Sequence, residues 1–263
     1  MAAPQVEVRM HRATRSLTYA LLIVVSVFIA ACSPSQPPAE QAAKPAEPPK
    51  PVVDITKDMH DHLSRVTTMQ EAVIRGDLEA VAEPANWIAN HEEAPLPAGT
   101  ESFAPDVKKI AAMAAGAKDI TSAATATSQL VAACGACHQA AKKAIMWPEL
   151  KKPAEGTGVA AHMLEHQWAM DLMYQGLAMP SEDAWKKGVE AFKAAPMAAK
   201  DLPKDEKLTK EIVAYEKKVH ELAAKALVAT DIGSKVAVYG ETLASCANCH
   251  GLHGKVWGPG VPK

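Results

Sequence analysis

Two five-residue stretches carry the chemistry of this chain: Cys134-Gly135-Ala136-Cys137-His138 and Cys246-Ala247-Asn248-Cys249-His250. Both read C-x-x-C-H. Two thiols three positions apart can add to the two vinyl groups of one haem, and the adjacent His then lies under the iron as proximal ligand. A redox dithiol or half of a zinc site would also use C-x-x-C. A thioredoxin-type dithiol needs a βαβ setting that neither motif has, and zinc leaves the matching His placement unexplained. With 5 Cys and 10 His in 263 residues, chance supplies roughly 0.004 such motifs; the chain has two. The expected cofactors are two covalently bound haem c groups. Cys134, Cys137, Cys246 and Cys249 attach them, with His138 and His250 as iron ligands.

The fifth cysteine, Cys32, has a different setting. Arg9, Arg12 and Arg15 precede an uncharged run from Leu17 to Ala30. That run is too short for a comfortable membrane span and matches the n-region and h-region of a secretory signal. It ends Ile29-Ala30-Ala31-Cys32, which is similar to a lipobox, in which small residues precede a cysteine that is diacylated and becomes the new N-terminus. Two or three acyl chains on one residue anchor stably. Seven prolines between Pro34 and Pro51 then make an extended tether that cannot pack. Without the first 31 residues the chain carries 25 basic and 29 acidic residues, net −4, which excludes a strongly basic nucleic-acid binder. The expected location is extracytoplasmic, lipid-anchored at Cys32 to the outer membrane and facing the periplasm. The lipobox resemblance implies the outer membrane because Ser33, rather than Asp, follows Cys32.

Two motifs invite a search for a repeat. A shift of 112 residues lays Asp119-Ile120 on Asp231-Ile232 and Cys134 on Cys246. A shift of 100 lays Gly76 on Gly176 and His62 on His162, the difference falling around Pro196 to Lys207. The expected layout is a signal over 1–31, a tether over 32–54, one unit over 55–146, a linker over 147–155 and a second unit over 156–263. Positions 59, 62, 66, 69 and 73 form an inward helical stripe, matched by 159, 162, 166, 169 and 173. Gly76 breaks the first helix; Asp77 and Ser181 are N-caps for the next helix of each unit. A third helix is clearest at Leu208, Ile212, Tyr215, Val219 and Leu222. The last helix of each unit starts near the Asp-Ile pair and ends in its C-x-x-C-H motif. No segment alternates like a strand. The fold class is all-α: two tandem four-helix bundles.

A bundle with C-x-x-C-H near the end of its last helix resembles the class II cytochromes c, the cytochrome c-prime type. Class I proteins carry the motif near the start, with a Met ligand well downstream. Here thirteen residues follow His250, none of them Met, so a sixth iron ligand comes from upstream. The resemblance covers roughly 55–145 and 156–255. It departs from cytochrome c-prime proper, which resembles a five-coordinate haem with no polar ligand on the first helix and typically has an Arg soon after the haem His. His62 and His162, inward on the first helix of each unit, are the expected sixth ligands. Met59 and Met163 could serve as thioether ligands but share no repeat position. His60 has no counterpart, and His166 pairs with Val66. Met69, Met170 and Met173 read as core filler. His91, His220 and His253 read as surface or loop residues. Lys142, Lys143, Lys151 and Lys152 form a solvated helix end, or a docking patch for an acidic redox partner.

The function expected from these features is electron transfer by a membrane-tethered dihaem cytochrome c, with redox proteins as partners and no nucleic acid. No acid and base flank a substrate pocket, so the chain reads as a carrier rather than an enzyme. The alternative is a haem enzyme or gas-binding protein, peroxidase-like or binding nitric oxide or carbon monoxide, with an open sixth iron position.

Overall fold

In a computed structural model the described residues are 54–142, 147, 149–192 and 197–257, with side chains to 252. The signal, most of the tether and Cys32 lie outside them. The described chain is all-helical: α1 (Ile55–Ile74), α2 (Leu78–Asn90), α3 (Phe103–Ala115), α4 (Ile120–Ala141), α5 (Val159–Ala178), α6 (Glu182–Ala191), α7 (Glu206–Val228) and α8 (Ile232–Trp257), with a short 3₁₀ turn Ala199–Asp201 before α7. Among the described residues, no helix is long and apolar enough to cross a membrane.

Side-chain caps start most of these helices. Asp54, Asp77, Asp119, Ser181 and Asp205 each accept a backbone N–H from the first turn that follows, and Asp231 does so for α8. Such acceptors satisfy N–H groups that the helix itself leaves unpaired. Gly76, at φ +71°, ends α1 in the left-handed region that a side chain rarely adopts.

Helices α1 to α4 pack in succession, with α1 also against α4. Helices α5 to α8 do the same, with α5 against α8. In addition α4 lies along α8 and touches α5, while α1 touches α8. One buried cluster therefore runs through both sets, from Val66, Met69 and Leu130 to Met173, Leu222, Tyr239 and Leu243. Small residues let α4 and α8 come close: a side chain at Gly240 would meet Ser128 Oγ at 2.9 Å and the Ala124 carbonyl at 3.5 Å. Positions 128 and 240 are 112 apart, so the two motif-bearing helices cross at equivalent points.

The same contacts define how the first helices correspond. α1 and α5 are both 20 residues long, and their ends differ by 104. The caps Asp77 to Ala80 N and Ser181 to Ala184 N differ by 104 as well. Buried Asp58, Met69, Gln70, Val73 and Ile74 map onto buried His162, Met173, Tyr174, Leu177 and Ala178. The first helix thus repeats at 104 rather than at the expected 100. This register lays His62 on His166 and leaves His162 opposite Asp58.

A buried polar network ties three helices together. Tyr239 donates its hydroxyl to Gln70 Oε1 at 2.7 Å, and Gln70 Nε2 lies 3.5 Å from Asp171 Oδ1. Gln167 also donates to that oxygen, at 2.7 Å. Burial raises the Asp171 carboxyl, and the two amides oppose the rise.

Candidate functional site

Both C-x-x-C-H motifs are helical, near the C-terminal ends of α4 and α8. All four thiols are free. Burial pushes Cys134, Cys246 and Cys249 up to about 12, and raises Cys137 against an opposing hydrogen bond with Thr100. At neutral pH these are un-ionised thiols. Zinc binding and dithiol exchange both run on thiolate, which a positive or polar setting would favour. The setting of this quartet is the reverse.

The motif histidines are oriented by backbone. His138 donates its Nδ1 proton to the Ala178 carbonyl, 2.8 Å away at the end of α5. His250 is hydrogen-bonded to the backbone of Ile74 at the end of α1; this partly offsets a lowering by burial. A backbone group that favours the charged ring is an acceptor, the Ile74 carbonyl. An imidazole that donates from Nδ1 to a carbonyl has its tautomer and ring plane set, and Nε2 keeps its lone pair for a metal.

Beside the first motif stand His62, Asp58, His91 and Glu93. His62 is 8 % exposed. Its Nε2 is 3.3 Å from Glu93 Oε2, yet makes no hydrogen bond of acceptable geometry. Glu93 is near enough to raise both Cys134 and Cys137 by its charge, which places His62 in the same neighbourhood as that motif. Trp87 meets the His62 ring edge-on at 5.5 Å and stacks on His91 at 4.0 Å. His91 Nε2 lies 2.5 Å from Asp58 Oδ1, while Asp58 Oδ2 accepts from Ala94 N. His91 is therefore a half-buried partner of a buried carboxylate, rather than the surface residue its loop position implied. Asp58 had no sequence signal at all.

Beside the second motif stand His162, His166, Glu216 and His220. His162 Nε2 lies 2.6 Å from Glu216 Oε1, and His220 Nε2 3.9 Å from the same oxygen. His166, with its ring 4.2 Å from that of His162 and 5.2 Å from Phe192, has a buried Nε2 and no partner for it. Burial, then the His162 charge, lowers His166 to about 3, and His250 contributes in the same sense. His166 is thus a neutral imidazole within electrostatic reach of the second motif's histidine. The Glu216 charge raises Cys249, so the acid is close to the motif too. A cavity of about 390 Å³ adjoins this cluster, lined by Met197, Leu202, Val213, Glu216, Lys217 and His220.

The two clusters correspond with their charges exchanged. On α1, Asp58 pairs with an imidazole from outside the helix, His91; on α5, His162 at the equivalent position pairs with a carboxylate from α7, Glu216. One turn further on, His62 and His166 both present a buried Nε2 without a hydrogen bond; the Nε2 of His162 also lacks one, although Glu216 Oε1 is 2.6 Å away. An orphaned buried nitrogen is costly, and a metal ion bound beside it would satisfy it. The residues present fit a c-type haem at each motif.

The remaining expected residues fall as follows. Met69, Met170 and Met173 are buried core; Met59 and Met163 are half-buried; His60 is exposed. Lys142, Lys151 and Lys152 are exposed. Lys143, Cys32 and the side chain of His253 lie outside the described residues. No protein-family model, curated protein or solved structure matches the chain.

Proposed function

We propose that the chain is a dihaem c-type electron carrier, tethered through a lipid on Cys32 at the outer membrane and facing the periplasm. Residues 55–146 and 156–263 each make a four-helix unit of the cytochrome c-prime type with one haem. Cys134 and Cys137 attach the first haem and Cys246 and Cys249 the second. His138 and His250 are the proximal ligands. His62 and His166 are the distal ones, His166 replacing His162 because of the 104-residue register and the Glu216 partner that His162 already has.

One observation carries this reading: each C-x-x-C-H histidine is hydrogen-bonded to the backbone of a neighbouring helix end, His138 through Nδ1, and shares its neighbourhood with an imidazole from the first helix of its own set whose buried Nε2 makes no hydrogen bond. When bound, a haem would supply the ferric–ferrous couple, at a lower potential with two imidazole ligands than with His and Met. The chain's part is to hold both rings in place through the cycle, and to exclude water and exogenous ligands from the iron. Asp58 pairs with His91, and Glu216 stands 2.6 Å from His162, which keeps those two rings engaged away from the metal. Redox proteins are the partners; the exposed Lys142, Lys151 and Lys152 beyond the first motif offer a positive surface to an acidic one.

An alkaline pyridine haemochrome assay tests the reading. Two haems per chain that resist acid–acetone extraction are expected. A value near one, or haem lost to the solvent, overturns it.

A further inference from the structure

The carbonyl that holds each motif histidine does not come from the histidine's own set of helices. His138, on α4, is held by Ala178 at the end of α5; His250, on α8, by Ile74 at the end of α1. Ala178 and Ile74 are equivalent in the 104-residue register, and His138 and His250 in the 112-residue one. The exchange is therefore reciprocal. Backbone contacts repeat it: a side chain at Gly135, inside the first motif, would stand 2.1 Å from the Leu177 carbonyl and 3.3 Å from Pro180 Cδ. One at Gly76 would stand 3.6 Å from the Ala247 carbonyl, inside the second motif. Glycine at 135 is what lets α4 approach the end of α5 so closely.

We propose that α1 and α5 each serve both centres, so that the proximal histidine of one haem is positioned by the helix that supplies the distal histidine of the other. Gly135 is the positioning residue that makes this possible at the first centre. This rests on the haem reading above and deepens it. A hydrogen bond from Nδ1 to a carbonyl makes the ligating imidazole more basic and favours the ferric state. Weakening it favours the ferrous state and raises the reduction potential. Alanine favours helix more than glycine does, so Gly135→Ala leaves α4 helical and acts by separating α4 from α5.

The test uses the full-length, haem-loaded protein. Gly135→Ala is expected to keep two haems and to raise one of the two reduction potentials by about a tenfold change in the equilibrium, 59 mV for one electron. Gly251→Ala, next to the second motif with nothing within 4 Å of the new methyl, is expected to leave both potentials unchanged. Two haems with unaltered potentials in Gly135→Ala overturn the inference. Should that variant load no haem, the wild-type protein decides. In ¹⁵N-histidine-labelled ferrous protein the Nδ1 protons of His138 and His250 are expected to exchange with solvent far more slowly than those of exposed His60; equal rates overturn the inference. Failure of the haem reading itself is separate. It shows as no haem in the wild type, and the same exchange measurement on the apo chain still reads the crossed hydrogen bonds.

Discussion

His162 and His166 are one turn apart on the same helix face, and what already holds each of them separates their roles. The Nε2 atoms of both are buried without a hydrogen bond, but Glu216 Oε1 sits 2.6 Å from that of His162. His62→Ala and His166→Ala are each expected to turn one of the two haems high-spin in the electron paramagnetic resonance and absorption spectra. His162→Ala is expected to leave both haems low-spin. A high-spin haem in His162→Ala with none in His166→Ala would restore the 100-residue alignment at this turn. The motifs themselves were legible in the sequence because C-x-x-C-H is dense in information. The register of the first helices was not, since a slip of four residues turns a helix by only about 40°, and an apolar stripe survives that slip almost in phase. Asp58, Glu93 and Glu216 were hidden for another reason. Carboxylates read as solvent-facing by default, and the pairs they make join α1 to the loop after α2, or α5 to α7, which no local pattern reveals.

Helix starts were the most readable elements, because a capping side chain declares itself by type and position. Asp119 and Asp231, at equivalent places before α4 and α8, both have lowered carboxyl pKa values. Asp119 accepts from the Ser122 N–H and hydroxyl; Asp231 accepts from the Ser234 hydroxyl and N–H. A carboxyl with a folded pKa below its unfolded one adds stability that is fully present above the unfolded value, about 3.9. That stability is lost as pH falls through the folded value. Asn caps a helix as well as Asp but does not titrate. The double variant Asp119→Asn/Asp231→Asn is therefore expected to show a shallower loss of stability below about pH 4, measured by urea unfolding from pH 6 to pH 2. An acid limb as steep as the wild type's would show that these caps do not drive it. Helix α3 (Phe103–Ala115) was the least readable element. Its buried face is Val107, Ala111 and Ala114, and alanine contributes little to a hydrophobic period.

At the largest scale, the eight helices of the described residues share one core, and that sharing was not legible in either repeat alone. The face that joins α4 to α8 is built from Ala124, Ser128 and Gly240, residues that signal loops or neutral positions in a sequence but allow two backbones to approach. Ahead of this core runs the proline-rich segment from Cys32. Cys32→Ala is expected to give an unprocessed precursor retained at the inner membrane, and the wild type is expected to fractionate with outer membranes; globomycin treatment and membrane fractionation read the difference. A wild-type protein found free in the periplasm would remove the lipid anchor from the proposal. The crossing of Ser128 with Gly240 has a consequence of its own. A contact between equivalent positions is the geometry of a symmetric dimer interface, here closed within one polypeptide by the 17-residue stretch between α4 and α5. Two separate subunits would part on dilution, and with them the carbonyls that hold His138 and His250. A covalent link of this length keeps each half at an effective concentration on the millimolar scale about the other. The pairing therefore persists in a compartment however few copies are present. Being one chain also frees the two sides of the contact to differ, as Gly240 facing Ser128 already does.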